Sequence, residues 1–227
     1  MSAVTATDLP QLDPAQRLKI TEIFLSLQGE STLVGWPTVF VRLTGCPLRC
    51  HYCDTAYAFH GGTWMGCGDV LERVRSYQAH YVCVTGGEPL AQKNCHSLLR
   101  SLCDEGYTVS LETSGALDVS EVDSRAIRIL DIKTPGSGEC AKNLWSNLQC
   151  LKASDQIKFV ICNREDYEWS LATVAQYKIA DQSTVLFSPS YGQLKPRALA
   201  EWILNDRAPV RMQIQLHKLL WGIEPGH

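Results

Sequence analysis

The chain has 227 residues, 45% of them hydrophobic, which is enough to bury one sizeable core and falls within the range of a single domain. Its 21 Lys and Arg against 24 Asp and Glu give a formal net charge of -3 and no basic stripe of the kind that tracks a phosphate backbone, so nucleic acid is not an expected partner. No apolar run approaches the roughly 20 residues of a membrane span and no signal-peptide pattern opens the sequence, so no membrane partner, a cytoplasmic location and reduced thiols are expected.

Residues 1–17, rich in Ala, Thr, Pro and Asp, carry no apolar period and are expected to form a loose arm, with 18–227 as one domain. β-rich apolar runs predict strands at 20–27, 38–43, 81–85, 107–111, 127–132, 156–161, 184–187 and 210–215. Between them, apolar residues recurring at three and four positions predict helices at 69–78, 94–105, 143–151, 166–180 and 196–206. Such alternation implies βαβ units in an α/β fold with a mostly parallel sheet, where ligands gather at the carboxyl ends of the strands. The polar and glycine-rich segments LTGCPLRC, TGGEP, ETSG, DIKTPGSGE, SPSYG and QLHK each follow a predicted strand, which would bring six loops to one rim.

Cys46, Cys50 and Cys53 stand as C-x3-C-x2-C in GCPLRCHYC. Three thiolates on one short loop are one short of the four that an iron–sulfur cubane normally takes, leaving one iron open to bind and activate a small molecule. By spacing alone the loop could also be a zinc site or part of a ferredoxin-like carrier, since spacing does not name the metal. The other seven cysteines fall at irregular intervals and read as small core residues. His51, between two of the loop cysteines, reads as loop surface.

The cysteine spacing, the aromatic Tyr52 before its third cysteine and the later Thr85-Gly86-Gly87-Glu88-Pro89 resemble the radical S-adenosylmethionine (SAM) superfamily. The resemblance implies a partial (β/α) barrel, a 4Fe-4S cluster on Cys46, Cys50 and Cys53, and SAM chelating the open iron. Within that superfamily EIFLSLQGE, Arg42 in VFVRLTGC, Thr55 and the distal QLHK resemble the 7-carboxy-7-deazaguanine synthase family, over about residues 19–225. That family is a carbon–nitrogen lyase converting 6-carboxy-5,6,7,8-tetrahydropterin to 7-carboxy-7-deazaguanine on the route to queuosine. The ring contracts and ammonia leaves, after a deoxyadenosyl radical takes a hydrogen from the carbon bearing the carboxylate.

The family match implies Tyr52, Cys53, Asp54, Gly87, Asp131, Ile132 and Lys133 at the SAM site and Leu27, Gln28, Gly29, Glu30, Arg42, Thr85 and His217 at the substrate. It also implies Thr55 on Mg2+, a reductant such as a flavodoxin or ferredoxin, and a homodimer. An amide and a carboxylate in LQGE suit an aminopyrimidinone ring, and a guanidinium in the otherwise apolar VFVRLTG is costly unless paired, as a substrate carboxylate would pair it. His217 is expected near the end of the final strand. Glu112, Thr113 and Ser114 are divided between ligand contact and strand-end capping, and Pro225 is a weak substrate candidate. Ser31 departs from the family, where glycine is frequent, so the backbone is expected to turn differently there. The competing enzyme is a glycyl-radical activase sharing cluster, SAM and fold but acting on a polypeptide, and the competing non-enzyme is a redox or zinc module.

Overall fold

The computed structural model describes residues 17–222 together with Glu224 and Gly226. Of the expected arm, residues 1–16 lie outside the described residues, as does Pro225, while Arg17 opens the first strand.

Strand β1 (Arg17–Leu27) runs antiparallel to β2 (Pro37–Leu43), and its first residues also pair with β3 (Thr63–Gly66). Then come α1 (Cys67–Ser76), β4 (Tyr81–Gly86), α2 (Cys95–Asp104), β5 (Thr108–Thr113), β6 (Ile127–Ile132), β7 (Gln156–Ile161), α3 (Arg164–Gln176), β8 (Thr184–Pro189), α4 (Pro196–Asp206), β9 (Arg211–Met212) and α5 (Leu216–Trp221). The strands form one sheet in the order β3-β1-β2-β4-β5-β6-β7-β8-β9, parallel from β2 onward.

Because successive strand residues face opposite sides, each central strand divides its chemistry in two. Val39, Val41 and Leu43 of β2, Leu130 and Ile132 of β6, and Ile157, Phe159 and Ile161 of β7 are buried in the core shared with α1, α2 and α3, among them Val70, Val74, Leu98, Leu102 and Tyr167. The residues between them, such as Phe40 and Arg42, Ile129 and Asp131, and Lys158 and Val160, turn to the other face and line a cavity.

Three predicted elements differ, and one strand was not predicted. Residues 143–151 form a 3-10 turn at Trp145–Cys150 rather than a helix, because the buried Asn147 side chain is spent on loop backbone, accepting from the Val119 amide and donating to the Gly115 and Leu117 carbonyls. β3 gave no apolar signal, being a four-residue edge strand between glycines. The predicted strand at 210–215 shrinks to Arg211–Met212, where it pairs only with Leu186 and Phe187 at the sheet edge. The chain then turns into α5, so His217 lies in the first turn of a helix and not at a strand end. The predicted helix 166–180 begins earlier, at the Asn163 cap whose side chain accepts the Asp166 amide at 2.9 Å, and stops at Gln176.

Candidate active site

A cavity of about 510 Å3 opens at the carboxyl ends of the parallel strands, a size usual for cofactor and substrate sites. Cys46, Cys50 and Cys53, all free and half-buried, line it. Their loop is seated by backbone: the Gly87 amide donates to the Leu43 carbonyl at 3.2 Å and the Glu88 amide to the Gly45 carbonyl at 2.7 Å. A Cβ on Gly87 would overlap the Gly45 carbonyl oxygen and come 3.0 Å from Cys46 Cβ, so the second glycine of TGGEP is dictated by the approach of two loops.

Burial pushes all three thiols up, Cys50 to about 11, so they are protonated near neutrality until a metal's charge displaces the protons. Among the described residues, no three His, Cys, Asp or Glu side chains converge on a single ion position. Three half-buried thiols on one loop at a cavity wall supply one thiolate fewer than a closed tetrahedral zinc site takes, and they fit three irons of a cubane.

Glu88 ties two rim loops together. It is fully buried and accepts from the Leu90 amide (3.0 Å), the Thr113 hydroxyl (2.9 Å), and the Ser114 amide (2.7 Å) and hydroxyl (2.5 Å). Thr113 and Ser114 give their hydroxyls to this knot, and both line the cavity together with Glu112. Burial, reinforced by the charge of Glu30, raises the Glu112 carboxyl above its usual range, and it accepts from the Thr85 hydroxyl at 3.0 Å.

Around the cysteine loop, Tyr52 lies with its ring 5.8 Å from the Lys133 ammonium and its hydroxyl buried without a hydrogen-bond partner. Burial alone would raise the Asp54 carboxyl, but Lys218, together with the 2.8 Å bond from Thr55, holds it well below the usual range. Having donated its proton to Asp54, the Thr55 hydroxyl keeps its oxygen lone pairs. Asp131 pairs with Lys133 at 3.1 Å and with Lys158 at 3.3 Å. Ile132 is buried in the core, and Asn143 occupies both the amide and the carbonyl of Lys133 at 2.9 Å.

The end of β1 and the turn after it present Leu27, Gln28, Gly29 and Glu30 to the cavity. Burial would raise the Glu30 carboxyl, yet Lys158 at 2.6 Å and Gln215 at 2.8 Å hold it below its ordinary value and ionised. Gln28 accepts the Glu30 amide at 3.1 Å through its side-chain oxygen, and its buried amide nitrogen has no partner. The Leu216 amide donates to the Gly29 carbonyl at 2.9 Å, and a Cβ on Gly29 would overlap the His217 ring. Burial lowers the pKa of that imidazole, favouring its neutral form.

Ser31 takes the left-handed conformation, φ 68°, that glycine would adopt freely. Its hydroxyl accepts the Leu33 amide at 3.1 Å and its own amide donates to Gln213 at 2.8 Å, so both groups of this serine hold the left-handed turn.

Arg42 reaches the cavity from β2, with its Nε already donating to Glu22 of β1 at 2.7 Å. Sequence reasoning passed over Glu22, Lys158, Gln213 and Glu88. Only Lys158, a single cation inside the apolar run QIKFVI, carried a signal, and it was the same one that Arg42 carried.

The Radical SAM superfamily model matches residues 40–133, spanning the cysteine loop, TGGEP and Asp131–Lys133. The fold also resembles the crystal structure of QueE from Escherichia coli, with a TM-score of 0.74, 23% identity, and coverage of 89% of this chain and 95% of that one. A barrel of this kind with its cysteine loop at the strand ends defines a radical SAM enzyme, with a 4Fe-4S cluster and SAM as its cofactors. The 7-carboxy-7-deazaguanine synthase of Chlorobaculum tepidum is 47% identical over 90% of this chain and 94% of its own length, and that of Koribacter versatilis 38% identical over 91% and 98%. The chain belongs to the 7-carboxy-7-deazaguanine synthase family.

Proposed function

We propose that the chain converts 6-carboxy-5,6,7,8-tetrahydropterin to 7-carboxy-7-deazaguanine with release of ammonia, using SAM, a 4Fe-4S cluster and Mg2+. The observation that carries this reading is one cavity lined both by the cysteine loop and by the polar set Gln28, Glu30, Arg42 and Glu112, with Glu30 held ionised by Lys158 at 2.6 Å. The accepting carboxylate of Glu30 and the unpartnered amide nitrogen of Gln28 match the mixed donor and acceptor edge of an aminopyrimidinone.

In this reading Cys46, Cys50 and Cys53 hold three irons, and Tyr52, Asp54, Gly87, Asp131, Ile132 and Lys133 surround SAM, Ile132 through its backbone because its side chain is in the core. When bound, the cluster supplies one electron and SAM the carbon radical that can take a substrate hydrogen. The rest of the work is positioning and water exclusion. Leu27, Gln28, Gly29, Glu30, Thr85 and His217 orient the pterin, and the terminal nitrogens of Arg42 take its carboxylate. The Thr55 oxygen offers a hard ligand to Mg2+.

No helix among the described residues is long and apolar enough to cross a membrane. A cytoplasmic homodimer served by a flavodoxin or ferredoxin completes the proposal. The deciding experiment is anaerobic incubation of the reconstituted protein with SAM, reductant, Mg2+ and the carboxylated pterin, read by mass spectrometry. The deazaguanine acid is the expected product. SAM cleavage without it overturns the substrate assignment and makes a polypeptide radical acceptor the next candidate.

A further inference from the structure

The segment after β6 that the rim alignment left unexplained, Pro135–Gly136–Ser137–Gly138–Glu139, grips the cysteine loop from outside. The Arg49 amide donates to Glu139 Oε1 at 2.6 Å and the His51 amide donates to the Ser137 carbonyl at 3.0 Å. These two amides flank Cys50, so the middle cysteine is held on both sides by one turn. Gly138 has φ 77°, and a Cβ there would stand 2.8 Å from two atoms of the His51 ring, so the imidazole lies against a bare backbone. The Arg49 guanidinium meanwhile donates to the Cys46 carbonyl at 2.8 Å and lies 4.3 Å from the centre of the Phe59 ring.

The grip is mounted on the scaffold and does not depend on the cysteine loop for its shape. Thr134 Oγ1 donates to the Val160 carbonyl at 3.0 Å, and the Gly136 amide to Asp166 of α3 at 2.8 Å. The Ser137 hydroxyl donates to the Thr134 carbonyl at 2.6 Å and accepts the Glu139 amide at 3.0 Å. A cubane held by three thiolates leaves each iron exposed to loss whenever one ligand swings away, and partners outside the ligand shell set how often that happens.

We infer that turn 137–139 is a clamp that retains the iron–sulfur cluster by fixing the backbone on either side of Cys50, with Glu139 as its positioning residue. The inference rests on the proposed ligation by Cys46, Cys50 and Cys53. His51 thereby gains a role as the ring that packs on the clamp, where its sequence context indicated only loop surface.

The test compares anaerobically reconstituted wild type, Glu139→Ala, Glu139→Gln and Cys50→Ala without SAM, following visible absorbance and the rate at which a ferrous chelator extracts iron. Loss of a hydrogen bond to a charged acceptor predicts about tenfold faster iron loss from Glu139→Ala, equivalent to about 1.4 kcal/mol. Glu139→Gln keeps an accepting oxygen without the charge and is expected to lose iron at a rate between those of wild type and the alanine variant. Wild-type retention in the alanine variant, or equal loss from alanine and glutamine variants, overturns the clamp. Should the alanine variant not load a cluster, Glu139→Asp, whose carboxylate is drawn back by one methylene, decides between faster loss and the wild-type rate, which overturns it. A fully loaded Cys50→Ala protein would instead remove the ligand assignment.

Discussion

Glu22 and Arg42 sit directly opposite each other in the β1–β2 ladder, and the carboxylate takes the Arg42 Nε proton at 2.7 Å and the Tyr57 hydroxyl proton at 2.8 Å through the same oxygen. The guanidinium expected to find its partner in the substrate therefore has one within the fold. Among the described residues its two terminal nitrogens take no hydrogen bond, so the side chain is anchored by one edge with the other available. Glu22→Ala is expected to raise the dissociation constant of the carboxylated pterin about tenfold, the effect of one lost charge-assisted bond, with SAM affinity unchanged. Equilibrium binding of each ligand to the reconstituted enzyme checks it, and a parallel loss of SAM affinity would mean that β1 itself had shifted.

Gly29 is the floor on which the His217 ring rests. Gly29→Ala should push that ring and α5 away, at about 1–3 kcal/mol for overpacking, and reduce turnover at least tenfold while iron content stays at the wild-type level. Adding His217→Ala to Gly29→Ala should restore the melting temperature without restoring turnover. Recovery of both would show that His217 does nothing for the substrate.

How much of this was legible depended on which face of a strand a residue occupies. A lone cation in an apolar strand occurs three times, at Arg42, Arg128 and Lys158, and the sequence signal is the same in each. Alternation separates them: Arg42 and Lys158 share the cavity parity, whereas Arg128 shares the parity of Leu130 and Ile132 and is buried in an ion pair with Asp155 at 2.6 Å. Arg42 was found because it stands beside a recognisable motif, and Lys158 was missed because its partners, Glu30 and Asp131, lie 128 and 27 positions away and nothing local foretells them. The central strands were readable as short, near-continuous apolar runs, since most of their residues are buried whichever way they face. His217 was placed on the wrong element because a six-residue helix has too few turns to show a period.

Gly87 was expected to touch SAM, and its geometry adds a second constraint, because the obstacle to any side chain there is the Gly45 carbonyl, which cannot rotate aside. Gly87→Ala should separate TGGEP from the cysteine loop and lower cluster loading severalfold. Cys67→Ala, buried at the first position of α1, should load fully. Iron content and absorbance after reconstitution distinguish the two. Full loading of Gly87→Ala with weakened SAM binding would confine this glycine to the cofactor contact.

The paired carboxyls Glu30 and Glu112 should pull stability in opposite directions with pH. Glu30, lowered against burial by Lys158, contributes stability that is present above its ordinary value of 4.5 and lost as pH falls through its folded value. Glu112 is raised, by burial first and by Glu30 second, so above 4.5 the unfolded chain sheds this proton while the folded one retains it, and stability falls with rising pH until the folded value is passed. Glu112→Gln keeps an acceptor for the Thr85 hydroxyl and has no proton to lose. Its melting temperature relative to wild type should climb from pH 4.5 upward and then level, by about 3–6 °C for each unit by which the folded carboxyl is raised. Thermal melts of the two proteins from pH 4.5 to pH 8 make the comparison, and a constant difference across that range would mean that Glu112 ionises as an ordinary carboxylate.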